Sequence, residues 1–210
     1  MKNLSTYINE GMSFKLTRKY KKPYNYYPED TNEFKRIIKK LIDERGLNAD
    51  LNDIDTSKIT DMSNLFTSST FDGNISSWDV RNVKNMKSMF AGSSFTGKNS
   101  DLSEWNTSNV TNMCNMFNSS QFDGDISEWD VSNVEDMSYM FYNAKFTGKN
   151  GNISKWDISS VKDMQCMFYK SKFDSDLSKW NVSNVKIMLD IFKDSPLEGK
   201  EPAWYKKRKK

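Results

Sequence analysis

Five tryptophans of this 210-residue chain are each followed by Asp or Asn: Asp79, Asn106, Asp130, Asp157 and Asn181, with Asp55 in the corresponding place of a sixth, degenerate copy. In one outward column such residues would stand about 5 Å apart, and three chemistries come into view. Each side chain can accept N–H groups from its own corner of the chain, the column can form an acidic strip for a partner, or the carboxylates can hold a cation. Corner capping is the first reading and the open strip the second. No EF-hand spacing accompanies the column, so calcium is not expected. The chain contains no histidine, which removes the commonest general base and a leading zinc ligand. No carboxylate pair is set apart by an irregularity in the pattern, so neither an enzyme nor a bound cofactor or metal is expected.

Other charged or reactive groups lie off that column. Lys98-Asn99-Ser100 and Lys149-Asn150-Gly151 recur 51 residues apart and read equally well as the border of a binding face or as neutral insertions. Lys207 and Arg208 lie in the terminal run KKRKK, and KLTRKYKKPYNYY near the start is basic and aromatic. Both runs can attract phosphates. The central region is acidic, however, so nucleic acid and membrane are not the expected partners. Cys114 and Cys166 fall at different places in the repeat and are expected to be free thiols in a reducing compartment.

The elements that must position these groups follow from the spacing. Phe66, Phe90, Phe117, Phe141, Phe168 and Phe192 end successive phrases at steps of 24, 27, 24, 27 and 24 residues, and Phe71, Phe95, Phe122, Phe146 and Phe173 follow five residues later. The extra three residues always fall between the second Phe and the next Trp, which marks a loop. A period of this length indicates a stack of units, each burying its apolar side on its neighbours. Ile75, Trp78 and Val80 have leucine-rich-repeat spacing and suit a short strand. Val83, Met86 and Phe90 then suit a short helical turn. The expected fold is an α+β repeat solenoid of 24- and 27-residue coils with short parallel strands and short helical turns.

The ends differ from the middle. From Asp30, DTNEFKRIIKKLIDERG carries an N-cap, a glutamate three residues on, an apolar stripe and a terminating glycine, so a capping helix is expected at the N-terminal end of the stack. The sequence divides into a basic aromatic segment at 1–29, the cap at 30–50, the repeats at 51–205 and a basic tail at 206–210. Residues 1–50, 51–192 and 193–210 sum to +4, −5 and +4. No apolar run has the length of a membrane span and the first residues lack the apolar core of a secretory signal. The expectation is a chain not secreted by a signal peptide, cytoplasmic or virion-associated.

The phrase WDVSNVEDMSYMF and its sisters, each followed by F-x-G, resemble the repeat of the BspA-like leucine-rich repeat proteins, also known for a Mycoplasma lipoprotein-associated domain of unknown function. The resemblance covers roughly residues 51–205. It implies a noncatalytic repeat protein of a kind often displayed on surfaces and linked with adhesion, in bacteria, some protists and phages. For this chain it points to a protein-interaction or structural-assembly module, including a component of a phage particle. The alternative is an adhesin-like module that binds carbohydrate or a host surface. The candidate interaction residues are those of the column together with Lys98, Lys149, Lys207 and Arg208.

Overall fold

The computed structural model describes residues 24–208, without the side chain of Arg208; most of the basic aromatic segment and Lys209-Lys210 lie outside it. Helix α1, Thr31–Arg45, begins where the Asp30 carboxylate accepts the N–H of Glu33 at 2.8 Å and ends at Gly46, whose φ of 85° closes it with an N–H bond to Ile42. Its apolar stripe places Phe34, Ile38 and Leu41 in the core, with the Phe34 ring 5.1 Å from that of Trp78. Helix α2, Ala203–Arg208, lies at the other end. There Tyr205 packs edge-on against Phe192 and the Trp204 indole donates to the Leu177 carbonyl.

Between the two helices the six units ending at Phe66, Phe90, Phe117, Phe141, Phe168 and Phe192 lie one on another. The expected α+β solenoid with parallel strands and a helical turn in every coil is overturned. Among the described residues there is no strand, and the helices are α1, α2 and a single 3₁₀ turn at Ile153–Lys155. Neighbouring units meet instead through isolated parallel bridges, one per step in the series Asp61, Asn85, Asn112, Asp136, Asp163 and Ile187.

The physical reason lies in the backbone after each bridge. The N–H groups of Met86, Ser88, Phe90 and Gly92 donate to the carbonyls of Asn112, Cys114, Met116 and Asn118 in the next unit, while Met62, Asn64, Phe66 and Ser68 donate to Asn85, Lys87, Met89 and Ala91. Along this row every second residue donates forward. In a parallel strand pair, by contrast, a residue donates to and accepts from the same neighbour. The row is built of turns: Met89 N–H bonds back to Met86, and Ser93 N–H to Phe90. Ser88 and Gly92, third in those turns, have φ of 55° and 65°, as a type II turn requires. All eleven described non-glycine residues with positive φ occupy these two places in the six units. A chain turning left at such intervals can form neither strand nor helix.

Two phenylalanine ladders form the core. Phe66, Phe90, Phe117, Phe141, Phe168 and Phe192 stack with centroids 5.5–6.0 Å apart. The second ladder, Phe71 to Phe173, runs beside it at 6.0–6.5 Å. Both are fully buried, and offset ring pairs of this kind add about 0.5–1.5 kcal/mol beyond area burial. The tryptophans also pin the units together. The indole N–H groups of Trp78, Trp129, Trp156 and Trp180 donate to the carbonyls of Leu51, Leu102, Ile126 and Ile153 in the unit before.

Candidate interaction surface

The five column residues sit at one corner of successive units, and their first duty is local. The side-chain Oδ1 atoms of Asp79, Asn106, Asp130, Asp157 and Asn181 accept the N–H two residues on, at 3.0–3.2 Å, from Arg81, Ser108, Ser132, Ser159 and Ser183. Each corner is thus an Asx turn. Ser159 holds the Asp157 carboxyl below its ordinary range through hydroxyl and N–H together, and the Arg81 guanidinium bonds both oxygens of Asp79. In four of the five units the residue directly after that N–H donor is an Asn that ties units together: Asn82, Asn109, Asn133 and Asn184 donate to the carbonyls of Ser57, Arg81, Ser108 and Ser159.

Two more such corners escaped the sequence reading. In the first, Asn74, Asp101, Asp125, Asn152 and Asp176 accept the N–H of Ser76, Ser103, Ser127, Ser154 and Ser178. In the other, Asp61, Asn85, Asn112, Asp136 and Asp163 do the same at the bridge positions. The signal was present in the sequence as an Asp or Asn recurring at three places per unit, each two residues before a small or polar residue. The column after tryptophan is one of three equivalent fasteners.

The inserted loops are tied down. The Thr96 N–H and hydroxyl both bond the Asp72 carboxylate, and Asn99 donates to the Asp72 carbonyl. One pair of units later Thr147 and Asn150 clasp Asp123 in the same way. Between the loops lies an open cleft of about 500 Å³ lined by Thr96, Lys98, Gln121, Asp123 and Asn150, over Gly97 and Gly124. A Cβ on either glycine would come within 2.8 Å of the Phe122 ring. Lys98 lines this cleft; Lys149 and the column residues do not. Lys207 is exposed on α2, far along the chain from both loops, and the Arg208 side chain lies outside the described residues.

A third outward surface was not singled out by its sequence. Tyr142 and Tyr169 stack face to face at 5.1 Å and 8°, Tyr139 lies tilted against Tyr142 at 5.8 Å, and the ammonium groups of Lys170 and Lys193 lie over the Tyr169 ring at 5.3 and 5.8 Å. Cys166, half-buried and free, lies in this surface, and burial pushes its thiol pKa up. Cys114 is buried and also free. No group of three or more metal-ligating side chains occurs among the described residues, and no described helix is long and apolar enough to cross a membrane.

No curated protein and no solved structure matches the chain. The family described as Mycoplasma protein of unknown function, DUF285, matches residues 32–150 and again 93–204. The two overlapping matches run from within α1 to α2 and take in every unit whose corners, ladders and clasped loops are described above, so the chain belongs to that Mycoplasma family of unknown function.

Proposed function

We propose that the chain is a noncatalytic protein-interaction or structural-assembly module of the kind that serves as a component of a larger particle, working in the cytoplasm or on a virion. The repeated phrase supports kinship with the BspA-like repeat proteins and with their noncatalytic character. The carboxylates and amides that first suggested chemistry are engaged with backbone N–H groups at every corner, and a stack joined by ladders and indole pins suits display rather than turnover.

The observation that carries a protein partner over a carbohydrate is the state of the outward rings of the fourth and fifth units, Tyr139, Tyr142 and Tyr169. A pyranose stacks on an open ring face, but Tyr142 is covered by Tyr169 on one side and flanked by Tyr139, while Tyr169 is overlaid by two lysines. What remains is ring edge, hydroxyl and ammonium, a mixture suited to protein contacts.

Affinity capture from native lysate or purified particles tests this reading, with the whole chain and with residues 1–29 deleted. The expected result is a reproducible protein partner that is retained when Asp79, Asp130 and Asp157 are changed to Asn, because Asn keeps the corner bond. Loss of capture in that triple variant would restore the acidic-strip reading, and absence of any macromolecular partner would defeat the proposal.

A further inference from the structure

Every turn row but the first is bonded to the unit before it. The carbonyls of Asn85, Lys87, Met89 and Ala91 accept the N–H groups of Met62, Asn64, Phe66 and Ser68, and each later row repeats the arrangement. In the first unit the corresponding acceptors are Asp61, Ser63, Leu65 and Thr67. Asp61 takes the Thr31 hydroxyl at 3.0 Å, but among the described residues no group donates to the carbonyls of Ser63, Leu65 and Thr67. The far end of the stack is better closed: Glu198 accepts the Asp194 N–H at 2.9 Å and Tyr205 packs on Phe192.

Helix α1 is the reason the first row stays open. Asn25 and Tyr26 donate to the Asp53 carbonyl, and Leu47 and Ala49 accept the N–H groups of Asp72 and Asn74, so residues 25–49 trace a coil ahead of the first unit. In that coil α1 stands where a turn row would run, and a helix uses its N–H groups on itself. Between α1 and the open row lies a groove of about 360 Å³ lined by Ile38, Ile42, Leu47, Leu65 and Phe66, with Thr70 at its border. Leu47 is 48% exposed there, and Ile42 and Leu65 are only partly covered. Apolar side chains beside open carbonyls at every second residue suit an added extended segment. One edge of such a segment supplies N–H groups at alternate residues, and one face supplies side chains.

We propose that the chain's own residues 12–16 dock in this groove, donate to the open carbonyls and complete the N-terminal cap. These residues lie outside the described structure. In sequence they alternate, Met12, Phe14 and Leu16 against Ser13 and Lys15, the pattern of a half-buried strand. The described chain begins at Tyr24, and Tyr26 forms a parallel bridge with Ile54, so the segment is tethered to the very unit whose row is open. The steps from Leu16 to Tyr24 can span about 26–29 Å. Helix α1, with 15 residues, is about 22 Å long, so the linker is long enough to round it. Tethering keeps the segment at high effective concentration beside the groove, and closing an exposed terminal face is what a stack of repeats requires. The inference is independent of the protein-interaction reading and of any partner.

Amide hydrogen exchange of the full chain, read by mass spectrometry on peptides covering residues 12–16, tests the docking. Those amides should exchange about 10-fold or more slowly than in the corresponding isolated peptide. Two double variants should return them to the isolated-peptide rate while circular dichroism stays that of the parent. One is Phe14→Asp with Leu16→Asp, in the segment. The other is Leu47→Lys with Thr70→Lys, at exposed groove positions that the fold does not bury. Isolated-peptide exchange in the parent chain overturns the inference, and so does protection that survives the groove variant, since the segment would then lie elsewhere. Protection that appears only as chain concentration rises also overturns it, because the segment would then dock on a second copy.

Discussion

At the scale of single residues, the tryptophans and the left-handed positions show what the repeat asks of its side chains. Trp129 donates its indole N–H to the Leu102 carbonyl at 2.8 Å, while the Trp105 indole N–H is buried without a partner. Replacing either by Phe removes similar volume, so the difference between the two variants isolates the hydrogen bond. Trp129→Phe should be the more destabilising by about 0.5–1.5 kcal/mol, read from urea midpoints at constant slope. Equal losses would deny the indole bond its role as a pin. Lys170 offers the opposite case. A left-handed L-residue other than Gly or Asn is disfavoured by roughly 1–2 kcal/mol, and the exposed Lys170 side chain returns little packing. Lys170→Asn should therefore stabilise the isolated chain by about 0.5–1 kcal/mol, and a loss of stability would show that its contact with Tyr169 outweighs the strain. The burial of the tryptophans was legible from their spacing, because a large rigid ring recurring in every unit has few places to go. The left-handed positions were not, because Ser88, Tyr139, Cys166 and Lys170 carry no common chemical mark.

At the scale of elements, the same contrast decides what the sequence could convey. Helix α1 was readable because Asp30, Glu33 and Gly46 are local signals that act within a few residues. The strand and helical turn were misassigned because the apolar rhythm of Val83, Met86 and Phe90 gives only which side faces inward. It does not reveal that turns with φ near 55° set the path, and a row of turns can present the same inward side as a helix. The inserted loops were placed correctly along the chain, but their clasp depends on Asp72 and Asp123 in the preceding unit, 24 residues from Thr96 and Thr147, beyond any local signal. That clasp has a measurable consequence. Asp123→Ala removes the acceptor for the Thr147 N–H and hydroxyl, and should reduce stability by about 1–3 kcal/mol. Amide exchange at Thr147 should accelerate with it. Lys149→Ala, at an exposed loop position whose bond to the Thr147 hydroxyl comes from the backbone N–H that alanine keeps, should stay within about 0.5 kcal/mol of the parent. If the two variants behave alike, the loops are held by something other than the aspartate.

At the scale of the whole molecule, the corners couple stability to acid. Each unit depends on its neighbours, so weakening many corners together acts on the entire stack. Asp101, Asp157 and Asp176 have carboxyl pKa values below the ordinary 3.8, held there by N–H and hydroxyl groups of Ser103, Ser159 and Ser178. The Arg45 guanidinium lowers that of Asp53. At Asp61, burial works the other way but is outweighed by bonds from Ser63 and Asn85. A carboxyl whose folded pKa is depressed takes up its proton more readily in the unfolded chain. Its contribution is therefore complete above the ordinary carboxylate value and is lost as pH falls through the folded value. The urea midpoint should be nearly flat from about pH 7 to 5 and should fall between about pH 4 and 2. The corner columns supply their own control, since Asn74, Asn106, Asn152 and Asn181 make the same Asx turn without a titrating group. A triple variant with Asp101, Asp157 and Asp176 each changed to Asn should have a lower neutral-pH midpoint, because the bonds to a charged carboxylate are replaced by weaker ones to an amide, and a shallower acid-dependent fall, so that it converges on the parent at low pH. An acid slope identical to the parent's would mean that these corners do not link protonation to folding, and that the response belongs to Asp53, Asp61 and other carboxylates.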